Sequence, residues 1–214
     1  MRQKETATVK ITINEHASVR LETADGIIYF DPFNIVGKPA DADYIFITHA
    51  HFDHYSPKDI KKTANKNTAF IVPESMLDEV SDTLKDNVTA LAPFDEKEIG
   101  SIKIEAVPAY NTNKPMHKKE YGWLGYVVTV EDKRIYVCGD MDATDEGVKV
   151  DCDTAFVPVG GTYTMNVSEA ADFINRMKPE TAIPYHYGSI VGGRDCGEEF
   201  KALVSKDINV ELYI

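Results

Sequence analysis

A chain of 214 residues, 43% of them hydrophobic and 27% charged, has the length of one domain and can bury a core without disulfides. Its 35 acidic residues outnumber 23 basic ones, and the net charge of −12 argues against a general nucleic-acid binder. The three cysteines, Cys138, Cys152 and Cys196, contain no C-x-x-C pair and so point to neither a disulfide framework nor a zinc ribbon. No apolar run approaches the ~20 residues of a membrane span. The charged start MRQKETATVK is not followed by the apolar stretch of a signal peptide, so a soluble cytoplasmic protein is the expectation.

In chain order, Thr8–Ile13 and Ser18–Glu22 alternate with period two and read as strands. A turn at Ala24-Asp25-Gly26 leads to a third strand, Ile27–Phe30, stopped by Pro32. Tyr44–Thr48 is apolar throughout, which predicts a strand buried on both faces. Ser56 and Pro57 mark a short helix as N-cap and first residue. Glu74–Lys85 predicts a longer helix with Met76, Leu77, Val80 and Leu84 on one face. Strands are expected at Ala69–Val72, Val88–Leu91, Ile102–Val107, Leu124–Val130 and Arg134–Cys138, the last two joined as a hairpin through Glu131-Asp132-Lys133. The second half alternates strand Thr154–Val159, helix Val167–Met177, strand Thr181–Tyr185, helix Glu198–Ser205 and strand Asn209–Leu212. No linker divides the chain. This pattern predicts an α/β protein with central sheets and outer helices, a single domain over 1–214. The longest irregular stretch, Tyr110–Tyr121, is a candidate functional loop.

The chemistry concentrates in Ile47–Ser56, ITHAHFDHYS. His49, His51, Asp53 and His54 fall within six positions, and the chain has only six histidines. At a strand end, His49 and His51 point to one side, and Asp53 and His54 follow on the turn. Imidazole and carboxylate donors together suit zinc, manganese or iron.

THAHFDH resembles the signature of the metallo-β-lactamase superfamily. Tyr136-Val137-Cys138-Gly139-Asp140 is similar to the strand that ends in that family's bridging aspartate, and Ile183-Pro184-Tyr185-His186-Tyr187-Gly188 to the strand that ends in its last histidine. Glu15-His16-Ala17-Ser18 and Phe30-Asp31-Pro32-Phe33 resemble early segments of a branch that includes an L-ascorbate phosphate lactonase. The resemblance spans about residues 9–213. It implies a four-layer αββα sandwich with one or two divalent ions at one edge of the sheets, held by His49, His51, Asp53, His54, Asp140 and His186. Zinc is the first expectation, with manganese, iron or nickel as alternatives. Two ions bridged through Asp140 would generate a hydroxide nucleophile near neutral pH, oriented by Asp53 in the catalytic role.

The family's third histidine of the first metal should fall in Val107–Asn113, where there is none; Asn111 is expected in its place. His117, in the long loop, and His16 are candidates to complete the site or to stand beside it. Cys138 reads as packing, and Gly160-Gly161 as a tight turn in preference to an anion site. Tyr163, Tyr187 and Lys114 are candidate substrate contacts, with Lys114, Lys118 and Lys119 making the loop basic. The function so implied is hydrolysis of an ester, lactone or phosphoester of a small anionic molecule, with homo-oligomers common among similar proteins. A phosphodiesterase or nuclease, and a non-catalytic metal-stabilised binding module, are the alternatives.

Overall fold

The computed structural model describes residues 9–84 and 86–214. The leading segment MRQKETATVK therefore lies largely outside the described residues, as do Thr8 of the first expected strand and Lys85 at the end of the second expected helix.

Thirteen strands and five α-helices are present among the described residues. The first half holds β1 (Lys10–Ile13), β2 (Val19–Thr23), β3 (Gly26–Phe30), β4 (Ala42–Phe46), α1 (Pro57–Thr63), β5 (Ala64–Pro73), α2 (Leu77–Val80) and β6 (Val88–Leu91). The second half holds β7 (Glu96–Ile99), β8 (Ile102–Pro108), β9 (Leu124–Val130), β10 (Lys133–Val137), α3 (Asp145–Val148), β11 (Thr154–Pro158), α4 (Val167–Met177), β12 (Thr181–Tyr185), α5 (Cys196–Leu203) and β13 (Asn209–Val210). No helix among the described residues is long and apolar enough to cross a membrane.

β1 to β6 form one sheet in sequential order, and β7 to β13 form a second, also sequential. Alternation along the strands explains why the sheets stack. Leu21, Phe30, Phe46 and Ile71 of the first sheet meet Ile104, Tyr126, Val137, Phe156 and Tyr185 of the second in one core. The opposite faces are also apolar. Tyr29, Ile45 and Val72 pack under Ile60 of α1 and Val80 of α2, while Val127, Tyr136 and Val157 pack under Phe173 and Ile174 of α4 and Phe200 of α5. Two-sided burial beside parallel neighbours accounts for the apolar run Ile45-Phe46-Ile47 at the end of β4, while Asp43 earlier in the strand is exposed. The result is the expected αββα sandwich.

Local chemistry sets the element ends. Ser56 caps α1 with Pro57 at its first position, and Asn166 with Glu169 forms a capping box on α4. Glu131 and Asp132 both take positive φ, 51° and 62°, the turn that suits a two-residue hairpin between β9 and β10. The expected helix Glu74–Lys85 is shorter than its periodicity suggests. It is a 3₁₀ turn, Glu74–Met76, followed by the single turn α2. The Ser81 hydroxyl donates to the Asp78 carbonyl at 2.7 Å, a side-chain bond that competes with helix continuation. Met76, Val80 and Leu84 are buried, whereas Leu77 is 42% exposed. β7 and α3 are elements that periodicity alone did not single out.

Candidate metal centre

The parallel strands β3, β4, β10 and β12 run toward one edge of the sandwich, and the candidate residues leave from their ends. Asp31 follows β3, His49 to His54 follow β4, Asp140 follows β10 and His186 follows β12. His16 sits in the turn between β1 and β2 and donates no strand bond, but its carbonyl accepts from the His186 amide at 3.0 Å. His16, Asp31, His117 and His186 have φ of 57°, 45°, 53° and 61°. Left-handed backbone is uncommon outside glycine, and its concentration here marks a site held by its surroundings.

Three groups of donors converge: His49, His51 and His117; His49, His54 and Asp140; and His16, Asp53 and His186. In the first, His51 Nδ1 lies 3.0 Å from His49 Nε2 and 3.1 Å from His117 Nε2. Bonds of roughly 2.0–2.1 Å to a tetrahedral ion place donor atoms about 3.3 Å apart, close to these separations. Hydrogen bonding alone accounts for the triangle poorly, because His51 Nδ1 has one proton or one lone pair and two partners.

Asp140 stands between the groups, 4% exposed. Its Oδ2 faces His117 Nε2 at 3.3 Å and His49 Nε2 at 3.9 Å. Its Oδ1 faces His186 Nε2 at 3.1 Å and His54 Nε2 at 3.3 Å. Asp53 Oδ2 closes the far side, 3.4 Å from His16 Nε2 and 3.8 Å from His54 Nε2. One carboxylate thus offers an oxygen to each side.

The tautomers follow from the next ring of contacts. Asp31, fully buried, accepts from the Thr48 amide at 2.8 Å, the Thr48 hydroxyl at 2.6 Å and His54 Nδ1 at 2.7 Å. With its own proton on Asp31, the Thr48 hydroxyl accepts from His49 Nδ1 at 3.0 Å. Both rings therefore turn a bare Nε2 inward, the arrangement that fixes metal-binding histidines.

Without an ion, the carboxylates around His54 favour a proton on the ring in the place a cation would take. Burial disfavours charge on His54, but Asp140, Asp31 and Asp53 outweigh it and raise the ring to about 9. Burial also works against the Asp140 carboxylate, yet His186, His54 and His117 hold it well below the usual carboxylate range. Burial, and then His54, push His49 well below an ordinary histidine. His16 Nε2, His54 Nε2, His186 Nε2 and Asp140 Oδ1 are buried without a hydrogen-bond partner. Four orphaned donor atoms facing one another are costly unless a cation satisfies them. The residues present fit a divalent metal.

The family model described as Beta-lactamase superfamily domain matches residues 10–186. A UPF0173 metal-dependent hydrolase of Pyrococcus horikoshii is 31% identical over 95% of this chain and 96% of its own length. The chain belongs to the β-lactamase superfamily, among the UPF0173 metal-dependent hydrolases. A solved metal-dependent hydrolase of Parabacteroides distasonis is 32% identical, with a TM-score of 0.81 over 95% of this chain and 92% of that one. A metallo hydrolase of Ignicoccus hospitalis, 20% identical with a TM-score of 0.79 over 96% and 95%, shares the fold.

Within this superfamily fold, several sequence expectations change. The third imidazole beside His49 and His51 is His117, not a residue of Val107–Asn113. Asn111 stands behind it: its Nδ2 lies 3.2 Å from His117 Nδ1 and donates to the Tyr163 carbonyl at 2.7 Å, and its amide donates to the His117 carbonyl at 2.7 Å. His16, one of the two candidates to complete the site or stand beside it, lies with Asp53 and His186 in the third group. Tyr187 is no substrate contact; it is 1% exposed, packs in the outer core, and directs its hydroxyl to the Ile214 carbonyl. Lys114 is bound to Asp142, with Glu169 3.9 Å away, and so is not free to attract an anion. Tyr163 remains exposed at the rim, at 43%.

Cys138 is buried in the outer core, as its packing role requires, and burial pushes its thiol well up. Gly160-Gly161 is a tight turn whose following amides are already bonded, Gly161 to Met165 and Thr162 to Gly160. A Cβ on Gly160 would meet the His186 carbonyl at 2.4 Å, so this glycine makes room for the histidine turn.

Two residues of the site were not singled out from sequence. Asp31 had a signal, an acid directly after the apolar strand Gly26–Phe30. Trp123, with its ring 4.9 Å from His49 and 5.0 Å from His51, had none in spacing or periodicity.

Proposed function

We propose that this protein hydrolyses a carboxylic ester or lactone at two adjacent divalent metal positions. The observation that carries the proposal is Asp140, whose two oxygens face two separate donor sets. His49, His51 and His117 would hold the first ion with Asp140 Oδ2. His54, His186, Asp53 and His16 would hold the second with Asp140 Oδ1. Such ions supply Lewis acidity and bring the pKa of bound water toward neutrality.

The remaining work falls to the chain. Burial works against the Asp53 carboxylate, but His16 and His54 outweigh it and keep it below the usual range, so this 8% exposed side chain accepts a hydrogen bond from the attacking water and orients it. Asp31 and Thr48 keep His49 and His54 in the ligating tautomer. In hydrolysis the oxygen of water bonds to the acyl carbon, the acyl C–O bond breaks, and the alcohol leaves with a proton. An uncharged ester or lactone fits better than a phosphoester, because Lys114 is committed to Asp142 and the chain carries −12. The lactone option accords with the likeness of Glu15–Ser18 and Phe30–Phe33 to the lactonase-containing branch.

The test is turnover of simple methyl esters by zinc- or manganese-loaded protein. Activity should fall to that of chelator-stripped protein in Asp140→Ala with the circular dichroism spectrum retained. Unchanged turnover in Asp140→Ala would refute the assignment.

A further inference from the structure

One aromatic side chain lies directly against the donor cluster. Trp123, the single tryptophan of the chain, places its ring 4.9 Å from His49, 5.0 Å from His51 and 5.6 Å from His117. It is half-buried. Tyr121 packs on it at 4.9 Å with the planes tilted by 52°, and is 39% exposed. An aromatic surface therefore runs from the imidazoles to solvent.

That surface is fixed in place. The Trp123 carbonyl accepts from the Ala109 amide at 2.9 Å, and the next amide, Leu124, donates to the Thr48 carbonyl at 3.1 Å. Thr48 is also the residue that orients His49. Tyr121 belongs to the 3₁₀ turn Lys119–Tyr121 just after His117, and Gly122, with φ of 62°, makes the bend between the two aromatics. One short segment thus carries both a donor to the first ion and the wall beside it.

Two further exposed apolar side chains adjoin donor residues in sequence. Phe52, between His51 and Asp53, is 69% exposed and lies edge-on to Phe33 at 6.1 Å. Met116, just before His117, is 39% exposed. Apolar surface left open around a site favours ligands that cover it, and aromatic faces favour flat groups. An uncharged apolar ligand also meets no repulsion from a chain of net charge −12.

We propose that the substrate is an aryl or arylalkyl ester or lactone whose ring packs on Trp123 and Tyr121 while its carbonyl faces the metal positions. This rests on the hydrolase reading above and names its substrate class. The reaction is the hydrolysis already written, with no redox change and no co-reactant besides water.

The test compares methyl 3-phenylpropanoate with methyl butanoate, which share a leaving group. It also measures binding of the inert ketone 4-phenylbutan-2-one to metal-free and metal-loaded protein, through the fluorescence of Trp123 and by calorimetry. The phenyl ester should be favoured at least tenfold in kcat/KM, and the ketone should bind and quench Trp123. Trp123→Ala should erase the preference mainly through KM, Tyr121→Ala should reduce it, and Trp123→Phe should restore most of it. Equal loss for both esters in Trp123→Ala, with Tyr121→Ala neutral, would overturn the proposal and leave Trp123 as packing for the histidines. Turnover of both esters at one rate, with no binding of the ketone, would overturn it while the hydrolase reading stands. Binding of the ketone with neither ester turned over would defeat the hydrolase reading and, with it, the assignment of this class as substrate.

Discussion

The two donor sets differ in how the chain builds them. His49 and His51 come from one short turn, and their third partner, His117, returns on an irregular loop held by Asn111. The other set draws on His16 from the turn between β1 and β2, on Asp53 and His54 from the same turn as His49 and His51, and on Asp140 and His186 directly after β10 and β12. It is rich in carboxylate and backed by the fully buried Asp31. The lesson is that the second set is anchored by two residues that directly follow strands, Asp140 and His186, whereas the first needs a loop for its third imidazole. The second ion should be held more tightly and should matter more to stability.

That contrast can be broken by substitution. His186→Ala should have the largest effect, removing the second ion and lowering the melting temperature, read by elemental analysis and calorimetry; loss of the first ion alone would invert the comparison. Asp31→Ala leaves His54 without its buried carboxylate and should cost about 3 kcal/mol in denaturant unfolding, as well as weakening the second ion. Asn111→Ala should sharpen the contrast, weakening the first ion by about 10- to 100-fold in a competition titration with little change in unfolding. Tyr187→Phe should be the smallest, about 0.5–1 kcal/mol for one hydrogen bond, with metal content unchanged.

The same contrast explains what could be read from the sequence. The histidine cluster after β4, Asp140 after β10 and His186 after β12 follow strand ends, and strand ends are visible in hydrophobic periodicity. The strands were legible for the same reason, since alternation such as that of Ile102, Ile104 and Ala106 identifies the buried face, whereas their division into two stacked sheets came from the resemblance. His117 was a candidate without a fixed place because its position depends on a loop closed by the bond from the Asn111 amide to the His117 carbonyl, which has no period. The truncated helix after Glu74 and the aromatic contact of Trp123 were hidden likewise, since side-chain bonds and loop packing decide them.

The most direct measurement is metal content per chain after incubation with excess zinc or manganese and removal of free ion, in the unaltered protein and in His117→Ala. The account predicts close to two ions in the first and close to one in the second. The same content in both proteins would contradict the division into two positions with His117 as a donor to the first.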